Sequence, residues 1–185
     1  MTHGLDLGSL LLRIALGITM LAHGYNHAWG GGKLAGTPRW FESIGIRPGR
    51  VHALLATMTE LGVAPLLFLG LLTPLAAAGV LGVMVVALIA NHIKNGYFIF
   101  RPGEGYEYVL FIIFAALALG ALGGGDWSLD DPLIGDAINH GWEKWFFGWH
   151  GFLVTAVAGG GGAALLLATC WRPERPAEGR SPDTT

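Results

Sequence analysis

The stretch LGVAPLLFLGLLTPLAAAGVLGVMVVALIANHI, residues 61–93, decides the fold. It holds no charge between Glu60 and Lys94, and Pro74 suits the first turn of a helix, where its missing N–H would have no partner anyway. The run therefore reads as two apolar helices joined by a tight turn at Thr73, each close to the ~20 residues that cross a bilayer core. Three further gaps without charge, Arg13 to Lys33, Tyr108 to Gly125 and Trp145 to Trp171, leave room for more such helices. The composition agrees: 13% charged residues is about half the ~25% of a soluble domain, with 52% hydrophobic residues and a mean hydropathy of +0.52. These figures disfavour a soluble globular enzyme. A net charge of −2 and a pI near 6.4 leave no electrostatic footprint for nucleic acid.

The fold class expected is all-α integral membrane with five spans: about Leu5 to Ala28, His52 to Leu72, Leu75 to His92, Glu107 to Gly123, and Phe152 to Trp171. The first has no Lys or Arg ahead of it and no Ala-x-Ala cleavage site, so it reads as a retained helix rather than a signal peptide. With five spans, Lys33, Arg39, Arg47, Arg50, Lys94, Arg101, Arg172, Arg175 and Arg180 share one membrane face, and only Lys144 lies on the other. This bias places the N-terminus outside, the C-terminus in the cytoplasm, and the protein in the inner (plasma) membrane. Without the last crossing, the three tail arginines would move outside and the bias would fade.

Between the fourth and fifth spans, Ile134, Ile138, Trp142, Trp145 and Trp149 recur at helical spacing opposite Asp136, Asn139 and Glu143. They predict a short helix in the outer interface with its tryptophans at headgroup depth. The run Gly159 to Gly162 gives the fifth span a smooth face for close packing on a neighbour, in this chain or another. Cys170 is the only cysteine, which rules out an internal disulfide or a Cys-x-x-Cys pair. From Arg172 to Thr185 the chain reads as a disordered tail.

Ionisable groups within spans are costly enough to mark function by default. Arg13 and Glu60 are expected at depths differing by ~10 Å, close enough for a buried ion pair near mid-membrane that either acts in the site or fixes helix register. Towards the cytoplasmic side, His23 and His27 share a helix face with Asn26 beside them, His52 opens the second span, Asn91 and His92 close the third, and Tyr106 and Glu107 open the fourth. Four spans thus bring polar groups to one depth and outline a pocket roofed by Arg13 and Glu60. A b-type haem would need His23 or His27 to face His92 and is disfavoured so near the interface. A metal site is weakly signalled, since His-x-x-x-His here lacks the Glu of His-Glu-x-x-His. A quinone-like lipid headgroup suits the residues best: His23, Glu60, His92, Tyr97 and Tyr106 supply donors, aromatic walls and proton-handling groups.

The run Leu11, Leu12, Arg13, Ile14, Ala15, Leu16, Gly17 leading to His23 and Gly24, the Glu60, Leu61, Gly62 segment followed by Leu69 to Pro74, and Trp127, Ser128, Leu129, Asp130 together resemble the DoxX family of small bacterial membrane proteins. The resemblance covers about residues 8 to 131. It implies a four-helix membrane bundle, a tie to thiosulfate:quinone oxidoreductase, and roles for Arg13, His23 and Glu60 at the family's charged positions. Two departures stand out: His27 occupies a position where the family usually has Lys, and the family's chain usually ends soon after the Ser-Leu-Asp motif. The organisation expected is thus a DoxX-like domain over 1–131, an interfacial segment over 132–151, a fifth span over 152–171 and a cytoplasmic tail over 172–185.

Two functions follow as expectations. One is a membrane subunit of a redox system, an oxidoreductase component in which Arg13, His23 and Glu60 act while His23, Asn26, His27, His92, Tyr97, Tyr106 and Glu107 hold a quinone. The other is a non-catalytic accessory subunit that stabilises a larger respiratory or oxidoreductase complex through the fifth helix. The bilayer, and a partner subunit or a second copy of the chain, are the expected partners. A solute or proton carrier using Arg13 and Glu60 as a relay is a third reading.

Overall fold

The computed structural model describes residues 2–30, 33–135 and 143–173. Among these the chain is helical, with one isolated bridge between Ile46 and Trp171. The helices are α1 (Thr2–Trp29), α2 (Lys33–Ser43), α3 (Gly49–Leu69), α4 (Thr73–Asn95), α5 (Glu107–Leu122) and α6 (Gly148–Cys170). Four of them, α1, α3, α4 and α6, are long and apolar enough to cross a membrane, whereas α5 is a shorter apolar helix of 16 residues. The protein is a multi-pass membrane protein by this architecture. Helices meet the demand of hydrocarbon, which offers no partner to a free backbone N–H or C=O.

Every expected span has a helix behind it, with shifted ends. One element goes beyond the sequence expectation: α2 lies between the first two spans, where a loop is expected, and carries Pro38. Its polar residues and short length hide it from a search for long apolar runs. The predicted interfacial helix falls largely outside the described residues. Its described flanks are a π-helical turn at Asp131–Gly135 and a 3-10 turn at Glu143–Phe146, and α6 starts at Gly148, ahead of the expected Phe152.

Glycine sets the packing of α1 on α3. A β-carbon at Gly17 would lie 2.6 Å from the Phe68 ring, and one at Gly24 would lie 2.8 Å from Leu61. Those two contacts fix an antiparallel register in which Gly24 is level with Glu60 and Arg13 is level with the α3–α4 turn. The core then fills with Leu16 and Met20 of α1, Ala64 and Leu67 of α3, Ala76, Ala77 and Val80 of α4, and Ala116 and Leu119 of α5. Outward faces keep large apolar side chains such as Ile18, Met58, Phe111 and Phe114, as lipid contact requires.

The end of the bundle near the α3–α4 turn is closed by residues 123–130. Gly70 and Leu72 both hold positive φ, 63° and 52°, and at leucine this left-handed conformation costs about 1–2 kcal/mol. Asp130 compensates by accepting the N–H groups of Leu72 at 2.6 Å and Thr73 at 2.9 Å, which caps α4 with a carboxylate at the positive end of its dipole. The backbone of Leu129 and Asp130 donates in turn to Leu69 O and Gly70 O. From α1, Ser9 donates to Gly123 O at 2.6 Å and Asp6 accepts the N–H of Asp126 at 3.1 Å. Asp130→Ala is expected to lower stability by roughly 2–3 kcal/mol, since it strands the buried Thr73 N–H and the half-buried Leu72 N–H, and Asp131→Ala, at an exposed position, to change little. Thermal melting of the two variants in detergent checks the contrast.

Candidate functional site

At the opposite end of the bundle, all six helices converge on a cavity of about 970 Å³, large enough for a cofactor-sized molecule. Helix α1 contributes His23, Asn26 and His27; α3 contributes His52, Ala56, Thr59 and Glu60; α4 contributes Gly79, Gly82, Met84, Asn91 and His92; α5 adds Tyr108 and Val109. Thr37, Trp40 and Phe41 of α2 line another side, and Gly159 and Gly162 of α6 a third. On α3 the residues His52, Ala56 and Glu60 stand four apart, so one face carries all three.

Glu60 is 1% exposed and its Oε2 lies 2.9 Å from His27 Nδ1. The two groups are in polar contact without the alignment of a hydrogen bond. The Phe41 ring stands edge-on to the His27 imidazole with centroids 6.3 Å apart, and Thr37 donates to His27 O at 3.1 Å, which ties α2 to the end of α1. His52 is 6% exposed and its Nδ1 has no hydrogen-bond partner. A buried imidazole nitrogen facing a cavity is a polar group with unmet capacity. His23 is exposed and donates through Nδ1 to Thr19 O at 2.9 Å. His92 donates to Glu104 O at 3.0 Å from a π-helical turn, Leu88–His92, within α4. Such turns often mark functional positions, and this one presents Asn91 and His92 to the cavity.

The expected pairing of Arg13 with Glu60 is replaced by two separate arrangements. Gly24, not Arg13, faces Glu60, and a β-carbon at Gly24 would lie 3.2 Å from that of Glu60. Arg13 is eleven residues further along α1, about 16 Å of helix rise, beyond the reach of its side chain. It is fully buried, donates through Nη2 to Trp127 O at 2.6 Å, and has Asp130 as the acidic group acting on its charge. A β-carbon at Gly70 would collide with its Nη1. Arg13 therefore closes the far end of the bundle and is not a roof for the cavity.

The structure gathers His23, Asn26, His27, Glu60 and His92 at the cavity, and leaves Tyr97, Tyr106 and Glu107 outside its lining. Those three build the link between α4 and α5: the Tyr97 and Tyr106 rings meet edge-on at 5.5 Å, and Glu107 accepts the Ile99 N–H at 3.2 Å. Glu104 and Tyr108 line the cavity in their place. Thr37, Trp40 and Phe41 escape sequence reading along with the helix that carries them. The adjacent Trp40 and Phe41, flanked by polar residues, are the available signal.

The cover over this end is held by the C-terminal helix. Arg47 N–H donates to Cys170 O at 3.0 Å, Arg172 N–H to Gly45 O at 2.6 Å, and Trp171 Nε1 to Ile44 O at 3.0 Å. Gly159 packs against α4, where its β-carbon would meet Ala78 O at 2.5 Å. Of the glycine run, Gly159 thus finds a neighbour within the chain, whereas Gly160, Gly161 and Gly162 face open space.

Residues 8–93 match the family model named DoxX, so this part of the chain is similar to that family. The match takes in most of α1 and α4 and all of α2 and α3, and stops short of residue 131, to which the resemblance in sequence motifs extends. No curated protein and no solved structure matches the chain.

Trp171→Ala is expected to speed amide exchange at Arg47 and Arg172 by about tenfold, through loss of one hydrogen bond and the packing around it, with exchange at Leu67 unchanged. Residue-resolved hydrogen exchange in micelles measures it.

Proposed function

We propose that the chain is a membrane subunit of a redox system that binds a quinone-like lipid in the cavity, with five spans, the N-terminus outside, and the inner (plasma) membrane as its location. The observation that carries the reading is Glu60, buried beside His27 and facing a large cavity together with the unpartnered His52. A carboxylate and an imidazole in contact hold and pass a proton, which quinone chemistry consumes or releases. The topology is supported by the grouping of Lys33, Arg39, Arg47, Arg50, Lys94, Arg101 and Arg172 at the cavity end. Helix α5 is then the short fourth crossing, about 24 Å of rise, with thinner hydrocarbon or flanking aromatics making up the difference.

The residues present fit such a headgroup. His52 offers a ring nitrogen to a carbonyl oxygen, Trp40 and Phe41 give flat apolar walls, and Asn91 and His92 keep the mouth polar. A bound quinone supplies two-electron, two-proton redox chemistry at its carbonyl oxygens. The chain's part is to orient the ring and to offer the adjacent Glu60 carboxyl and His27 imidazole as proton-handling groups. Electrons come from a partner, since a single cysteine gives this chain no dithiol couple.

In an accessory subunit without chemistry of its own, the buried His–Glu contact would serve helix packing alone. Val157→Trp with Leu165→Trp, on the exposed face of α6 and outside the cavity lining, separates the two: lost complex assembly with retained lipid binding favours anchoring. For the redox reading, lipid extracted from protein purified in mild detergent is expected to contain quinone. Glu60→Gln is expected to slow quinone reduction in membranes by about tenfold or more, the usual scale of a lost proton-handling group. Quinone-free protein together with an unimpaired Glu60→Gln membrane sinks the proposal.

A further inference from the structure

The cavity has two chemically distinct parts. Around His27, His52, Glu60 and His92 it is polar. Along α4 the lining from Met84 through Val83, Gly82, Gly79 and Ala78 to Leu75 is apolar. Leu75 and Met84 are nine residues apart, so the apolar part runs about 13 Å along the helix. Leu55 and Thr59 of α3 form one edge and Gly159 and Gly162 of α6 the other. The two glycines differ in how closely they approach α4. Gly159 is pressed onto Ala78 O, whereas a β-carbon at Gly162 would touch nothing. Glycine at 162 therefore leaves open space in the trough where any other residue would occupy it.

We infer that this trough holds the long apolar tail of the ligand whose headgroup sits at His52 and Glu60, and that α6, outside the DoxX match, is part of the ligand site. The inference rests on the reading of the cavity as a quinone site and adds the tail as a determinant of recognition. Three observations support it together. The buried, unpartnered His52 Nδ1 marks where a headgroup would satisfy a polar atom. The trough is continuous with that point, and its rise along the helix suits a chain of about ten carbons or two isoprene units. The same helix that forms the trough's edge also ties down Ile44 and Ile46, which line the polar end, through Trp171, Cys170 and Arg172. One added helix thus touches both the head and the tail of the site. Leu55 is half exposed, so the trough opens sideways to the bilayer and a tailed ligand enters from lipid without crossing water.

The test uses the full chain in nanodiscs and two probes, a dimethoxy-methyl-benzoquinone without a tail and the same headgroup with a decyl tail. Binding is read from quenching of tryptophan fluorescence. Gly162→Leu fills the trough without touching protein, and Gly161→Leu is its control, because Gly161 also faces open space but does not line the cavity. Leu55→Trp narrows the trough from the α3 side and serves if Gly162→Leu fails to fold. The expected result is at least tenfold weaker binding of the decyl probe to Gly162→Leu, with the tailless probe bound as by the wild type and Gly161→Leu unaffected. Equal binding of the decyl probe by wild type, Gly162→Leu and Leu55→Trp overturns the tail site while leaving the headgroup reading intact. Parallel loss of both probes in a folded Gly162→Leu protein also overturns it. A wild type that binds neither probe overturns the quinone reading and the tail site with it.

Discussion

The register between α1 and α3 is the constraint on which the rest depends. Gly17 against Phe68 and Gly24 against Leu61 let the two helices approach so closely that a β-carbon at either position would clash in this offset. In a membrane, where apolar surface gains little by leaving lipid, such close van der Waals contact is a main source of helix association. The offset then assigns the charges. Glu60 meets His27 at one end, and Arg13 meets the 123–130 segment at the other. Moving the register by one turn would leave both charges facing hydrocarbon or each other's neighbours, at a cost of several kcal/mol per ion.

This separation gives the two ends different characters. At the Arg13 end, side chains and backbone are tied to one another: Ser9, Asp6, Arg13 and Asp130 each reach the 123–130 segment or the α3–α4 turn. At the Glu60 end, the polar groups line space. Rigidity at one end and room at the other suit a bundle that keeps its shape while exchanging a ligand.

The spans are legible because the sequence keeps nearly all its charges, Arg13 and Glu60 apart, near their ends or in the links, and the convergence of His23, His27, His52 and His92 is legible from their positions near those ends. Three things are not. The α1–α3 register depends on which glycines meet which side chains, and span boundaries good to a turn cannot resolve a difference between about 10 and 16 Å of helix rise. The partner of Arg13 is a backbone carbonyl, which any residue at position 127 would supply, so no residue type signals it. Tyr97, Tyr106 and Glu107 have the right chemistry for a site, but they lie within a short link whose own backbone and rings satisfy them first. Helix α2 escapes for a related reason: it covers a cavity, and covers are amphipathic and short.

The contact between Arg13 and Trp127 spans 114 residues of chain. During synthesis at about 5–20 residues per second, the guanidinium in the first helix waits on the order of 6–20 s before its carbonyl partner and Asp130 are made. Throughout that interval α1 carries an unmatched charge and has no low-energy place in hydrocarbon by itself. Its settling therefore waits on the arrival of residues 123–130, and α1 reaches its final depth only once that segment is made.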